Sequence, residues 1–222
     1  MTRAGVTRKG DERGAMSEHE KLEARLEYSL EDAGVAARKA EGVAACARLA
    51  AADQSDAVGY EATARSILAE AGPGLDIQPG FRCDWSKNIH VGDNFTANYN
   101  VTILDIAPIT IGDGCMVGPG VTISTVTHPI DATRCRDRIA QAKPVTIGND
   151  VWLGTNVLVM PGVTIGDNVV VGAGAVVTHD IPSNSLAMGV PARVARRFDS
   201  QSQGHVIATK DGTDKGEEAH HD

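Results

Sequence analysis

Aliphatic residues recur every six positions through the middle of the chain. Ile147, Leu153, Val159, Ile165, Val171 and Val177 form one series, and Val145, Val151, Val157, Val163, Val169 and Ala175 stand two residues before each of them. Glycine follows the series at Gly148, Gly154, Gly166 and Gly172. The same frame runs upstream through Ile109 and Ile111, Cys115 and Val117, Val121 and Ile123, and before these through Ile89 and Val91, Phe95 and Ala97, Val101 and Ile103. A strand alternates its side chains between two faces, so positions i−2 and i point the same way, here inward. The remaining residues must turn the chain, and Gly, Asn and Asp tolerate the left-handed backbone angles that such turns need. Short strands joined by regular turns stack into a prism with one hydrogen-bonded sheet on each side, which is a mainly β solenoid.

Two irregularities interrupt the frame. Between Ile103 and Ile109 the step of six persists but the role shifts from i to i−2, so two residues are inserted there. From Ile123 to Ile147 the inward pattern lapses. Residues 124–143, with Pro129, Arg134, Arg136 and Arg138, read as an excursion loop, and a long loop ejected from a regular solenoid is usually functional. Before the solenoid the period is helical. Leu22, Leu26 and Leu30 share one helix face, residues 35–51 are Ala-rich, and a further helix is expected from Val58 to Ala71, with Tyr60, Ala64, Ile67 and Leu68 inward and Pro73-Gly74 as its stop. The expected organisation is a disordered segment 1–16, a helical segment 17–72, a solenoid domain 75–197 and a disordered acidic tail 198–222.

Composition agrees with a narrow interior. The 222 residues include only three Phe, three Tyr and two Trp, against 24 Gly. The net charge of −8 argues against nucleic-acid binding through a basic surface. That charge divides into −3 over residues 1–74, −1 over 75–197 and −4 over 198–222, so the solenoid is nearly neutral and does not exclude an anionic ligand. No apolar run reaches membrane-spanning length, and the polar N-terminus makes the cytoplasm the expected compartment. Cys46, Cys83, Cys115 and Cys135 form no CxxC pair and read as free thiols.

The stretch from Pro144 to Pro182, PVTIGNDVWLGTNVLVMPGVTIGDNVVVGAGAVVTHDIP, resembles the C-terminal coils of the hexapeptide acyltransferases. The stretch from Phe81 to Asp131, with its THPID segment, resembles the maltose and galactoside O-acetyltransferase branch, as does GVPARV near Arg193. The resemblance implies a left-handed parallel β-helix, a homotrimer with active sites between subunits, acetyl-coenzyme A as donor, a small-molecule hydroxyl as acceptor and no metal.

It also implies roles for particular residues. His128, in Thr-His-Pro, is the general base: an imidazole titrates near neutrality and can take the proton of an alcohol, then return one to a departing thiolate. Asn98 is expected to hydrogen-bond the acceptor or orient the base, with Asp84 and Asp105 as further acceptor contacts. Asn98 could equally serve a turn at positive φ, and Asp84 and Asp105 could be turn carboxylates. The Thr155 backbone N–H corresponds to the donor that stabilises the tetrahedral oxyanion. Trp152 and Ala173 flank the pantetheine arm, and Thr178, His179, Pro191, Arg193 and Arg196 approach the nucleotide and its phosphates.

Ile106 and Leu30 stand where the galactoside branch carries acids. This favours the maltose-like branch, with Asp32 as a possible substitute carboxylate. Ala140 replaces an acid common before the Lys-Pro that re-enters the coil. Competing readings keep the fold and change the chemistry: an antibiotic or serine acceptor, a zinc hydrase with three histidine ligands, or a non-catalytic scaffold.

Overall fold

A computed structural model describes residues 16–198, so the disorder expected before Met16 and after Phe198 lies outside the described residues. The hexapeptide frame becomes a parallel β-solenoid with three faces. The first face stacks Glu70–Ala71, Ile89–Val91, Ile109–Ile111, Val145–Ile147 and Thr164–Ile165. The second stacks Asp76–Ile77, Thr96–Ala97, Met116–Val117, Trp152–Leu153, Val169–Val171 and Ser185–Met188. The third stacks Arg82–Cys83, Thr102–Leu104, Thr122–Ser124, Leu158–Val159 and Val176–Val177. A final antiparallel strand, Arg193–Arg197, closes the second face.

Inward residues stack in columns because every strand is in parallel register with the next. Val91, Ile111, Ile147 and Ile165 form one column, Ala97, Val117, Leu153, Val171 and Ala187 a second, and Cys83, Ile103, Ile123, Val159 and Val177 a third. All but Cys83 are buried. At the corners, Asn94, Asn100, Asp150, Asn156, Asn168 and Asn184 adopt φ between 51° and 59°, the left-handed angles that Asn and Asp tolerate.

Rung length is not uniform. Ile89 pairs with Ile109 and Thr102 with Thr122, so the upper rungs take twenty residues. Thr146 pairs with Thr164 and Leu158 with Val176, so the lower rungs take eighteen, or three hexapeptides. The two extra residues fall at the corner from the third face to the first, where the sequence places its insertion.

The helical segment differs from the sequence expectation in its limits. Helix α1 covers only Glu18–Glu23, opened by a capping box between Ser17 and Glu20. Arg25 turns left-handed at φ 59°, so the chain reverses there and Leu26 is exposed rather than on a shared helix face. Helix α2 is Ala33–Ala51 and α3 is Ala57–Ile67. The third helix therefore stops before Ala71, because Glu70–Ala71 already pairs with His90 and Val91 as the first strand of the solenoid. Helices α2 and α3 close the wide end of the prism with Ala45, Leu49, Ala64 and Ile67.

The excursion loop is ordered. Val126–Thr127 pairs antiparallel with Ile139–Ala142, and α4, Ala132–Arg136, lies between them. Tyr28–Ser29 adds a third strand on the other side of Ile139–Ala142. A second core of Leu22, Tyr28, Val35, Ile106, Ala107, Ala140 and Ala142 fills the space between helical segment, inserted corner and loop.

Candidate active site

His128 follows the strand Val126–Thr127 and is exposed. Its Nδ1 lies 3.0 Å from the carbonyl oxygen of Ile139. A carbonyl only accepts, so Nδ1 carries the hydrogen and the neutral ring presents Nε2 as the free base. The feet of the loop are tied by the Lys143 N–H donating to the Thr125 carbonyl at 2.8 Å, and this fixes where the histidine leaves the prism.

Asp84 sits at the same corner, between the third and first faces. Its side chain is 13 % exposed and lies 3.5 Å from Lys39 Nζ on α2. Burial pushes its carboxyl above the usual range; Lys39 acts against that shift and Asp105 adds to it. Asp105 corrects the expectation of an acceptor contact. It is fully buried, and its carboxylate accepts the backbone N–H groups of Asp84 at 3.1 Å, Trp85 at 2.8 Å and Asn88 at 3.2 Å. Its work is to shape the corner that carries Asp84, not to reach a ligand. Asp32 is likewise committed: it caps α2 by accepting from Gly34 and Val35. Ile106 and Ala140 belong to the second core, so an acid at either would be buried among apolar side chains, and Leu30 packs partly buried against it.

Asn98 lies at a different corner, from the second face to the third. It is not among the residues at positive φ, whereas its neighbours Asn94 and Asn100 are. The backbone therefore does not demand asparagine at this position, and the side chain is half-buried with Oδ1 accepting from the Tyr99 N–H at 2.7 Å. The same corner repeats down the prism. The Asn98 N–H donates to the Val117 carbonyl, Gly118 to Leu153, Gly154 to Val171 and Gly172 to Ala187. Asn98, Thr155, Ala173 and the turn through Pro191 thus line one edge over four coil spacings, about 19 Å at roughly 4.8 Å per spacing.

Thr155 and Ala173 are exposed on that edge, and among the described residues no acceptor takes the Thr155 N–H. Trp152 projects from the second face, 44 % exposed, in a row with Met116 and Val170. Thr178 and His179 are exposed and joined at 2.8 Å between Oγ1 and Nδ1. Arg193 and Arg196 are exposed on the closing strand, beyond the cis Val190-Pro191 bond. Arg193 donates from one guanidinium nitrogen to the Ala192 carbonyl at 2.8 Å, and Arg197 to the Ser183 carbonyl at 2.8 Å.

A single chain therefore separates the two groups. His128 and Asp84 occupy one edge of the prism, while Asn98, Thr155 and Ala173 occupy another. Five residues around this corner lie beyond the sequence reading. Lys39 pairs with Asp84, and Arg38 stacks 4.3 Å over the Trp85 ring, whose Nε1 donates to Glu41 at 2.8 Å. Tyr28 is buried beside the site, and the only signal for it is a ring in a chain with few. Among the described residues no three His, Cys, Asp or Glu side chains gather into a metal site, and no helix is long and apolar enough to cross a membrane.

Comparison with known proteins extends this picture. Residues 144–179 match the family model described as bacterial transferase hexapeptide (six repeats), and residues 99–125 match that of the hexapeptide repeat of succinyl-transferase. A galactoside O-acetyltransferase of Escherichia coli (strain K12) is 42 % identical over 143 residues, covering 64 % of this chain and 70 % of the relative. Nodulation protein L of Rhizobium meliloti (strain 1021) is 42 % identical over 130 residues, covering 59 % of this chain and 71 % of the relative. Among solved structures, a maltose O-acetyltransferase from Clostridium difficile 630 superposes with a TM-score of 0.80 at 39 % identity, over 83 % of this chain and 99 % of its own. A galactoside acetyltransferase in complex with coenzyme A gives 0.81 at 33 % identity, over 88 % and 98 %. With its hexapeptide rungs, inserted corner and ordered loop, the chain belongs to the hexapeptide-repeat acetyltransferases of the galactoside and maltose O-acetyltransferase type.

Proposed function

We propose that this protein transfers the acetyl group of acetyl-coenzyme A to a hydroxyl of a sugar or related small molecule, with His128 as general base. The observation that carries the base assignment is the bond from Nδ1 to the Ile139 carbonyl, which fixes the tautomer whose neutral ring keeps its lone pair on Nε2. Nε2 takes the hydroxyl proton as the oxygen attacks the thioester carbonyl. The Thr155 N–H donates to the developing oxyanion. The imidazolium then returns its proton to the thiolate that leaves, so no covalent enzyme intermediate is required.

The edge below Asn98 suits the extended donor. It is straight, and Ala173 leaves it open. Trp152 adds a flat apolar wall, and Arg193 and Arg196 supply guanidinium groups for phosphates. Asp84, held by the Asp105 scaffold, offers a carboxylate to acceptor hydroxyls. Because the two groups of residues lie on different edges of one prism, we assign the complete site to two neighbouring copies in a homotrimer. The location we propose is the cytoplasm.

The test is release of free thiol from acetyl-coenzyme A across a panel of glucose, maltose, galactosides, glucosamine oligomers and chloramphenicol. A sugar should give the highest turnover. His128→Ala should lower kcat about 10³-fold with acetyl-coenzyme A affinity and assembly unchanged. Wild-type turnover in that variant would overturn the mechanism.

A further inference from the structure

The third inward column ends in a cysteine. The register places Cys83 where Ile103, Ile123, Val159 and Val177 stand in the coils below it, at the open end of the prism. Helix α2 lies over that end and brings Cys46 to it. The two Sγ atoms are 3.3 Å apart, although the residues are separated by 37 positions in the chain. Both are free thiols. A cavity of 110 Å³ adjoins Cys46, lined also by Leu49, Tyr60, Phe81 and Arg82 among others, and it is large enough for a small oxidant. The hydrogen bond with Cys83 lowers the Cys46 thiol from its ordinary value, with Arg82 contributing, which favours Cys46 as the attacking sulfur. The Cys83 thiol is pushed up by the same contact and by burial.

We propose that Cys46 and Cys83 form an oxidisable dithiol, converted by hydrogen peroxide to a disulfide that fastens helix α2 to the first coils of the solenoid. The Cys46 thiolate attacks one peroxide oxygen, the O–O bond breaks, and a sulfenic acid and hydroxide result. Cys83 Sγ then attacks the sulfenic sulfur, the S–S bond forms and a second hydroxide leaves. The two thiol protons neutralise the two hydroxides. The sulfurs lose two electrons and the peroxide is reduced to two waters. The sulfurs, already in contact at 3.3 Å, have only to close to a bond of about 2.05 Å. The other two thiols are poorly placed for this chemistry. Cys115 is buried with Sγ 3.1 Å from the Gly148 carbonyl, and Cys135 is exposed on α4.

The experiment uses the full chain carrying Cys135→Ser, which removes intermolecular pairing. After titration with hydrogen peroxide, alkylation should count one free thiol where three stood before. Non-reducing digestion and mass spectrometry should find the Cys46 and Cys83 peptides linked. Tm should rise by about 5 °C and return on reduction with dithiothreitol. Adding Cys46→Ser or Cys83→Ser should abolish both the link and the rise. Three thiols still counted after treatment, or sulfinate on Cys46 without a linked peptide, would overturn the proposal. None of the three readouts depends on acetyl transfer, so the outcome is separate from that of the functional reading.

Discussion

The coils on either side of the excursion loop are built from the same repeat and do different work. Below the loop, rungs of eighteen residues stack without interruption, and the path from Val159 to Val163 rounds the corner from the third face to the first in four steps. Above it, the corresponding path from Ile103 to Ile109 takes six. The extra residues turn outward as Ile106 and Ala107, nucleate the second core, and seat both the helical segment and the loop. A uniform repeat can offer a straight edge along which an extended molecule lies. It cannot offer a concavity, because every rung presents the same outline. The lower coils accordingly hold the candidate donor residues, and the departures from the repeat hold Asp84 and His128.

The sharpest way to break this division acts on one hydrogen atom. Thr155 stacks directly beneath Pro119, since Met116 pairs with Trp152 and Val117 with Leu153. The corner therefore already accommodates proline one coil above, preceded by a glycine in both cases. Thr155→Pro should fold normally while deleting only the N–H assigned to the oxyanion. We expect kcat to fall about 10²-fold with Tm within a few degrees of wild type, and Thr155→Ala to remain within about twofold. Unchanged turnover in the proline variant, measured by thiol release, would move the oxyanion donor elsewhere.

The upper region can be tested through the seat of its helix. A Cβ added to Gly42 would stand 2.2 Å from the Asp84 carbonyl oxygen, so α2 touches the inserted corner backbone to backbone. Gly42→Ala must lift the helix away from Asp84. It should cost about 2 kcal/mol, lower Tm by roughly 5 °C, and raise the acceptor KM about tenfold while leaving the KM for acetyl-coenzyme A alone. A parallel rise in both constants would mean that the two edges are not independent.

These tests also mark how far the sequence could be read. The columns were legible because a period of six in Val, Ile and Leu has one compact solution, and the insertion after Ile103 was visible as a shift of role. Helix limits were less legible. Arg25 carries no composition signal for a left-handed turn, and Glu70–Ala71 becomes a strand only because His90 and Val91 lie beside it. Asp105 departs from the sequence expectation for a related reason. A carboxylate at an irregular corner looks ligand-facing in one dimension, and only the fold turns the three N–H groups of residues 84, 85 and 88 toward it. Likewise, nothing in the spacing of Cys46 and Cys83 announces their contact, which arises between a helix and the end of an inward column.

The smallest effect separates stability from function at Asp84. Burial raises its carboxyl above the ordinary value of about 3.9, so the folded state binds that proton more tightly than the unfolded chain. Stability from this group is therefore greatest below the unfolded value and declines as pH rises through the carboxylate range to the raised folded value. Above that, the charged form carries a desolvation cost that Lys39, itself half exposed, offsets only in part. Asp84→Asn removes the titration. Its Tm should equal or slightly exceed that of wild type at pH 7, and the two should converge near pH 3, where the wild-type group is protonated in both states. The same variant should raise the acceptor KM several-fold, because an amide cannot accept at both oxygens as a carboxylate does. Loss of stability at pH 7 would show that the Lys39 pair outweighs burial and that Asp84 belongs to the scaffold of its corner, as Asp105 does, rather than to the site it borders.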